Sequence, residues 1–130
     1  AQVDAGLAFI ASEMHPPYAM AIRPDRTLGD VSPDTLEEAR AAGRARFVTR
    51  LGQLRDRFVG PWFAGESFTV VDPYVFVMLA WARYIGVDLA ATPELADLMA
   101  RMAARPSVQK VLRAEGLLDE HGRSSPPSRV

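Results

Sequence analysis

This 130-residue chain contains no cysteine, which excludes disulfides, a thiolate nucleophile and cysteine metal sites. Histidine is nearly missing too: His15 and His121 are the only imidazoles, and no metal site is expected from them. An excess of one charge is also lacking. Lys and Arg number 15 against 16 Asp and Glu, a net charge of −1 that lacks the basic field of a general nucleic-acid binder, so no nucleic-acid partner is expected. The longest uncharged apolar run, Pro73 to Ala82, is about half of what a membrane span needs, so no transmembrane helix and no membrane partner are expected. Strict apolar–polar alternation never lasts more than a few residues, and no internal repeat is visible. What is there is the composition of a soluble globular domain, 48% hydrophobic and 24% charged, long enough to bury a core without staples.

The most informative stretch runs from Phe68 to Trp81, FTVVDPYVFVMLAW, where a helix-start signal meets a run with almost no polar face. A helix apolar all round belongs at the centre of a bundle, so this segment is expected to be wrapped by its neighbours. Thr69 stands where its side chain can accept a first-turn N–H, and Asp72 stands where its carboxylate can reach back to the Thr69 N–H. That is a capping box, whose loss costs about 1 kcal/mol, and Asp72 reads as a structural cap rather than a catalytic acid. Pro73 offers no N–H and disfavours the α conformation at Asp72, so an irregular first turn is expected.

Around this centre, Val3, Leu7, Ile10 and Met14 recur at helical spacing as the stripe of a first helix, which Pro16-Pro17 is expected to end. Tyr18 to Ile22 follows as an apolar segment, wrapping or briefly helical, and the surroundings of Pro24 and Gly29 read as loop. Ser32-Pro33-Asp34 starts a second long helix with Ser32 as N-cap. Its register is Leu36, Gly43, Phe47, Leu51, Leu54 and Phe58, and Gly43 and Gly52 are expected to mark close approaches of another helix. Trp62 and Phe63 should pin a turn-rich connection, and Gly86 should close the central helix. Thr92-Pro93-Glu94 caps a helix with Leu95, Leu98, Met99 and Met102 inward, and Pro106 opens a last one carrying Val108, Val111 and Leu112. The reading is all-α with five or six helices over residues 1–118. Residues 119–130, polar and Ser/Pro-rich, are expected to be a disordered tail.

Three stretches, Phe9 to His15, the Trp62 to Ala82 block with its Thr-x-x-Asp box, and Met99 to Gln109 continuing to Leu117, together resemble the helical C-terminal domain of glutathione transferases, most closely the bacterial beta class. The most specific element is the box combined with the Arg105-Pro106-x-Val108-Gln109 helix start. The resemblance implies a five- to six-helix bundle with a central apolar helix, paired in the whole enzyme with an N-terminal thioredoxin-like domain that is absent here. The chain, which opens on Ala1, is therefore expected to be the second half of a two-domain enzyme. The resemblance further implies glutathione as co-substrate, a hydrophobic electrophile as acceptor, a homodimer and a cytoplasmic location.

By the same resemblance, His15 sits near the glutathione sulfur as the catalytic candidate, while Ser12, Glu13 and Met14 border the tripeptide, partly across the dimer interface. An imidazole can donate to a developing thiolate and exchange protons near neutrality; the plainer reading is a helix C-terminal residue that complements the dipole. Pro16 stands where the family commonly has a basic residue, and Ala8 where it has asparagine. Tyr18, Met20 and Trp81 are the candidate acceptor wall, since apolar acceptors need aromatic lining, with core packing as the other reading of Trp81. The arginines at 40, 44, 46, 50, 55 and 57 alternate with acids and read as a solvated face. The chain is expected to supply one wall of a transferase cleft and to be inactive alone; the alternative is a non-enzymatic interaction module of transferase-like shape.

Overall fold

The computed structural model describes residues 2–117, and the tail at 119–130, with His121, lies outside the described residues. All the regular elements of that span are helical: α1 (Gln2–Phe9), a π-helical turn (Ile10–Met14), α2 (His15–Ile22), α3 (Asp25–Leu28), α4 (Pro33–Asp56), α5 (Val71–Tyr84), a 3₁₀ turn (Leu89–Ala91), α6 (Pro93–Ala103) and α7 (Pro106–Ala114). No helix among the described residues is long and apolar enough to cross a membrane.

The first three segments form one continuous rod, because Phe9, Met14 and His15 at their junctions all keep right-handed helical angles. Pro16-Pro17 therefore does not end the first helix. In a regular α-helix their rings would press on the carbonyls of Ser12 and Glu13 four residues back, and both carbonyls would lose a donor. The turn ahead of them is wider instead, with the His15 N–H bonded to the Ile10 carbonyl five residues back. Counting that rod as one, six helical rods are found among the described residues, since the expected loop after Arg23 also holds the single turn α3.

α4 starts as its sequence requires, with Ser32 Oγ accepting the Thr35 N–H at 3.2 Å and Pro33 in the first turn. Gly43, Phe47, Leu51 and Leu54 are its buried stripe. At Gly43 an added Cβ would lie 2.7 Å from the Ala21 backbone nitrogen and 2.8 Å from the Pro17 carbonyl oxygen, so glycine is what lets α2 and α4 touch. Gly52 marks no such approach, for nothing lies within 4 Å of its would-be Cβ.

α5 supplies Val71, Val75, Met78, Leu79 and Ala82 to one core cluster shared with Ile10 and Met14 of the first rod, Phe47 and Leu51 of α4, and Leu95 and Leu98 of α6. It is not wrapped on every side: Val77 is 39% and Tyr84 41% exposed, and with Pro73 they form an open apolar strip. The reason is angular. Positions 73, 77 and 84 fall within one narrow sector of a 3.6-residue helix, a sector left open by the other rods among the described residues.

The start of α5 differs from a full capping box. Asp72 is completely buried, its carboxylate accepting the Thr69 N–H at 2.8 Å and the Phe63 N–H at 2.8 Å. Charge-assisted bonds of this kind are worth about 1.5–3 kcal/mol each and tie the Trp62–Phe63 loop to the helix. The Thr69 side chain does not cap, because the Asp72 N–H it would accept is committed to the Thr69 carbonyl at 3.1 Å, and among the described residues the buried Thr69 Oγ1 has no partner. At the other end Gly86, at φ 77°, reverses the chain, and the Val87 N–H closes on the Ala82 carbonyl at 2.9 Å. Arg44 of α4 donates to the carbonyls of Ile85 (3.1 Å) and Gly86 (2.7 Å) there.

Thr92 precedes α6 without capping it; its hydroxyl donates back to the Leu89 carbonyl at 3.3 Å. Leu95, Leu98 and Met102 are buried as expected, whereas α7 buries none of its residues fully and leaves Val111 58% exposed.

Candidate functional site

The widened turn decides where the candidate residues go. A π turn takes up one extra residue, which rotates everything after it by about 100° relative to a plain α-helix, so Ser12 and His15 cease to be neighbours on one face. Ser12, Glu13 and Met20 line a groove of about 370 Å³ between α2 and α4, opposite Gly43, Arg46 and Arg50. Within it the Glu13 carboxylate pairs with Arg50 at 3.2 Å, and Ser12 Oγ donates to the Ala8 carbonyl at 2.8 Å.

His15 turns the other way, toward α5. Its Nε2 lies 2.6 Å from Tyr74 Oη, and its ring meets the edge of Trp81 at 5.3 Å between centroids. Trp81 is in turn stacked on Tyr18 at 4.5 Å and 15°, and Tyr18 leans on Phe47 at 5.8 Å. The wall so formed is half-buried at His15, Tyr18, Tyr74 and Trp81, and the last two sit seven residues apart on the flank of the open α5 strip. Burial, and secondarily the nearby Tyr84, push the Tyr18 phenol up to about 12, so it stays neutral and presents no phenolate.

The expected set is thus divided. His15, Tyr18 and Trp81 come together, while Met20 belongs to the groove with Ser12 and Glu13. Met14, expected to border a ligand, is fully buried, because it continues the Ile10 stripe into the core. Tyr74 was absent from the candidates, although its spacing of seven from Trp81 puts the two on one face of α5. The arginines are more than a solvated face: Arg44 holds the end of α5, Arg50 holds Glu13, and Arg57 lies 4.6 Å over the Phe9 ring.

Comparison with known proteins places the helical fold among relatives. The family profile of the glutathione S-transferase C-terminal domain covers residues 37–114. Glutathione S-transferase GstA of Escherichia coli O157:H7 is 35% identical over 112 residues, 85% of this chain and 51% of that protein. Among solved structures, a glutathione transferase homologue from Sulfitobacter with bound glutathione superposes with a TM-score of 0.78 at 30% identity, over 90% of this chain and 55% of that one. The beta-class glutathione S-transferase of Sphingomonas chungbukensis gives 0.70 at 34% identity, over 88% and 53%. The chain spans about half the length of the curated relatives it matches. With a helical bundle and a family profile that matches residues 37–114, the chain belongs to the glutathione S-transferase C-terminal domain family.

Proposed function

We propose that this chain is the helical half of a cytoplasmic, homodimeric glutathione transferase that joins glutathione to hydrophobic electrophiles, with a thioredoxin-like half supplying the other side of the cleft. The observation that carries the reading is an imidazole held within an aromatic wall: His15 against Tyr74 and Trp81, with Tyr18 stacked behind. Conjugation needs the thiol of glutathione as thiolate, and a ring N–H donating to the sulfur favours that charged form. His15 is the group for that role. The thiolate then attacks the electrophilic carbon as the leaving group departs, and holding the acceptor beside it supplies the remaining rate gain. Tyr18 and Trp81 cover each other's inner faces by stacking, so an apolar acceptor meets their outer edges and faces. Ser12 and Glu13, on the other side of the rod, suit a contact with glutathione bound chiefly by a second subunit.

A docking module has no use for an imidazole at an aromatic wall, and the glutathione-bound relative supports the enzymatic reading over it. The test is conjugation of an aromatic halide with glutathione, measured for the 130-residue chain alone and for a two-domain protein carrying it behind a thioredoxin-like half. The expected outcome is no turnover by the chain alone and turnover by the two-domain protein. Turnover by the chain alone overturns the division of labour, and an inactive two-domain protein overturns the transferase reading.

A further inference from the structure

We infer that Tyr74 is a positioning residue for His15, selecting the ring tautomer that the chemistry uses; the inference rests on the transferase reading above. The two groups come from elements far apart in sequence, separated by 59 residues, and meet at 2.6 Å. N–H donors to oxygen span about 2.7–3.2 Å, with a mode near 2.9–3.0 Å, whereas hydroxyl donors reach down to about 2.5 Å, so a separation of 2.6 Å fits the Tyr74 hydroxyl donating to Nε2 better than the reverse. A nitrogen that accepts carries no proton. The neutral imidazole then holds its hydrogen on Nδ1, and that N–H is the donor left for a sulfur.

The ring is held by packing as well. Tyr74 and Trp81 flank it at 5.6 Å and 5.3 Å between centroids, tilted 55° and 78°, so its plane is set from two sides. Stacking on Tyr18 fixes Trp81 in its turn. His15 is also the first residue after the π turn, whose extra residue is what turns it toward α5 rather than toward the Ser12 groove. Without that turn the hydroxyl and the imidazole would not meet. An electrophile-binding aromatic would need no such bond, so the tyrosine hydroxyl has a role that a phenylalanine at 74 would not fill.

The test has two arms. In the 130-residue chain, nitrogen NMR of the His15 ring at a pH where it is neutral reads the tautomer directly. Tyr74→Phe keeps the aromatic packing and removes only the hydroxyl. The parent is expected to show His15 locked with its proton on Nδ1, and the variant a mixture of both tautomers; the same mixture in both proteins overturns the inference. In the two-domain protein, Tyr74→Phe should lower kcat about three- to tenfold, the worth of one hydrogen bond, with KM for glutathione unchanged. Combined with His15→Ala it should cost nothing more, because its effect runs through the imidazole. A full additional loss in the double variant overturns the inference. Tautomer selection in a two-domain protein that never conjugates supports Tyr74 as the holder of His15 and sinks the transferase reading instead.

Discussion

At the scale of single residues, burial sets what each polar group in the wall can do. Tyr18 illustrates the sign. Its phenol titrates from neutral to anionic, and burial raises it from 10.0 in the unfolded chain to about 12 in the fold. Its contribution to stability is therefore whole below pH 10.0 and is lost as pH climbs toward 12. Phenolate absorbance of the parent minus that of Tyr18→Phe should rise with a midpoint near 12, and a midpoint near 10.0 would mean the Tyr18–Trp81 stack is open to water. Asp72 is instead a fully buried carboxylate satisfied by two backbone donors, while among the described residues the hydroxyl of its neighbour Thr69 has no partner. Position in the sequence foretold the Asp72 contact with Thr69. It did not foretell the one with Phe63, because a contact across a loop has no periodicity.

At the scale of helices, two glycines of α4 make opposite predictions from one physical rule. Alanine is favoured over glycine inside a helix by about 0.5–1 kcal/mol when there is room for the methyl group. Gly52 has nothing within 4 Å, so Gly52→Ala should stabilise the chain by about that amount. Gly43 would place its Cβ against the α2 backbone at 2.7–2.8 Å, so Gly43→Ala should destabilise by about 1–3 kcal/mol as the two helices are forced apart. Urea unfolding midpoints decide both, and a pair of shifts in the same direction would contradict the packing. The cost of glycine inside a helix made both look like contact points, since a sequence shows that a helix tolerates glycine but not whether a neighbour is there. The same limit hid the π turn. Periodicity finds where a helix is, and proline rules say where one should stop, but a turn widened to pass a proline pair leaves no spacing signature. Starts were easier to read: Ser32-Pro33 opened α4 where its cap chemistry said it would.

At the scale of the molecule, the bundle was legible because α5 buries Val71, Val75, Met78, Leu79 and Ala82 even though one strip of it stays open, and α6 carried the spacing of Leu95, Leu98 and Met102 openly. The candidate site was legible only through resemblance for His15, and by chemistry for Tyr18 and Trp81. Tyr74 was hidden by distance along the chain, and the parting of Ser12 from His15 was hidden by the π turn. The whole account makes this chain one wall of a cleft, with His15 as the group that serves the thiol. The direct measurement is kcat/KM for conjugating an aromatic halide with glutathione in the two-domain protein, parent against His15→Ala, with helix content checked by circular dichroism. The account predicts a loss of about ten- to a hundredfold with the helical signal unchanged, the size expected when a charge-assisted hydrogen bond to the sulfur is removed. Equal rates in the two proteins would contradict it and return His15 to a purely structural part.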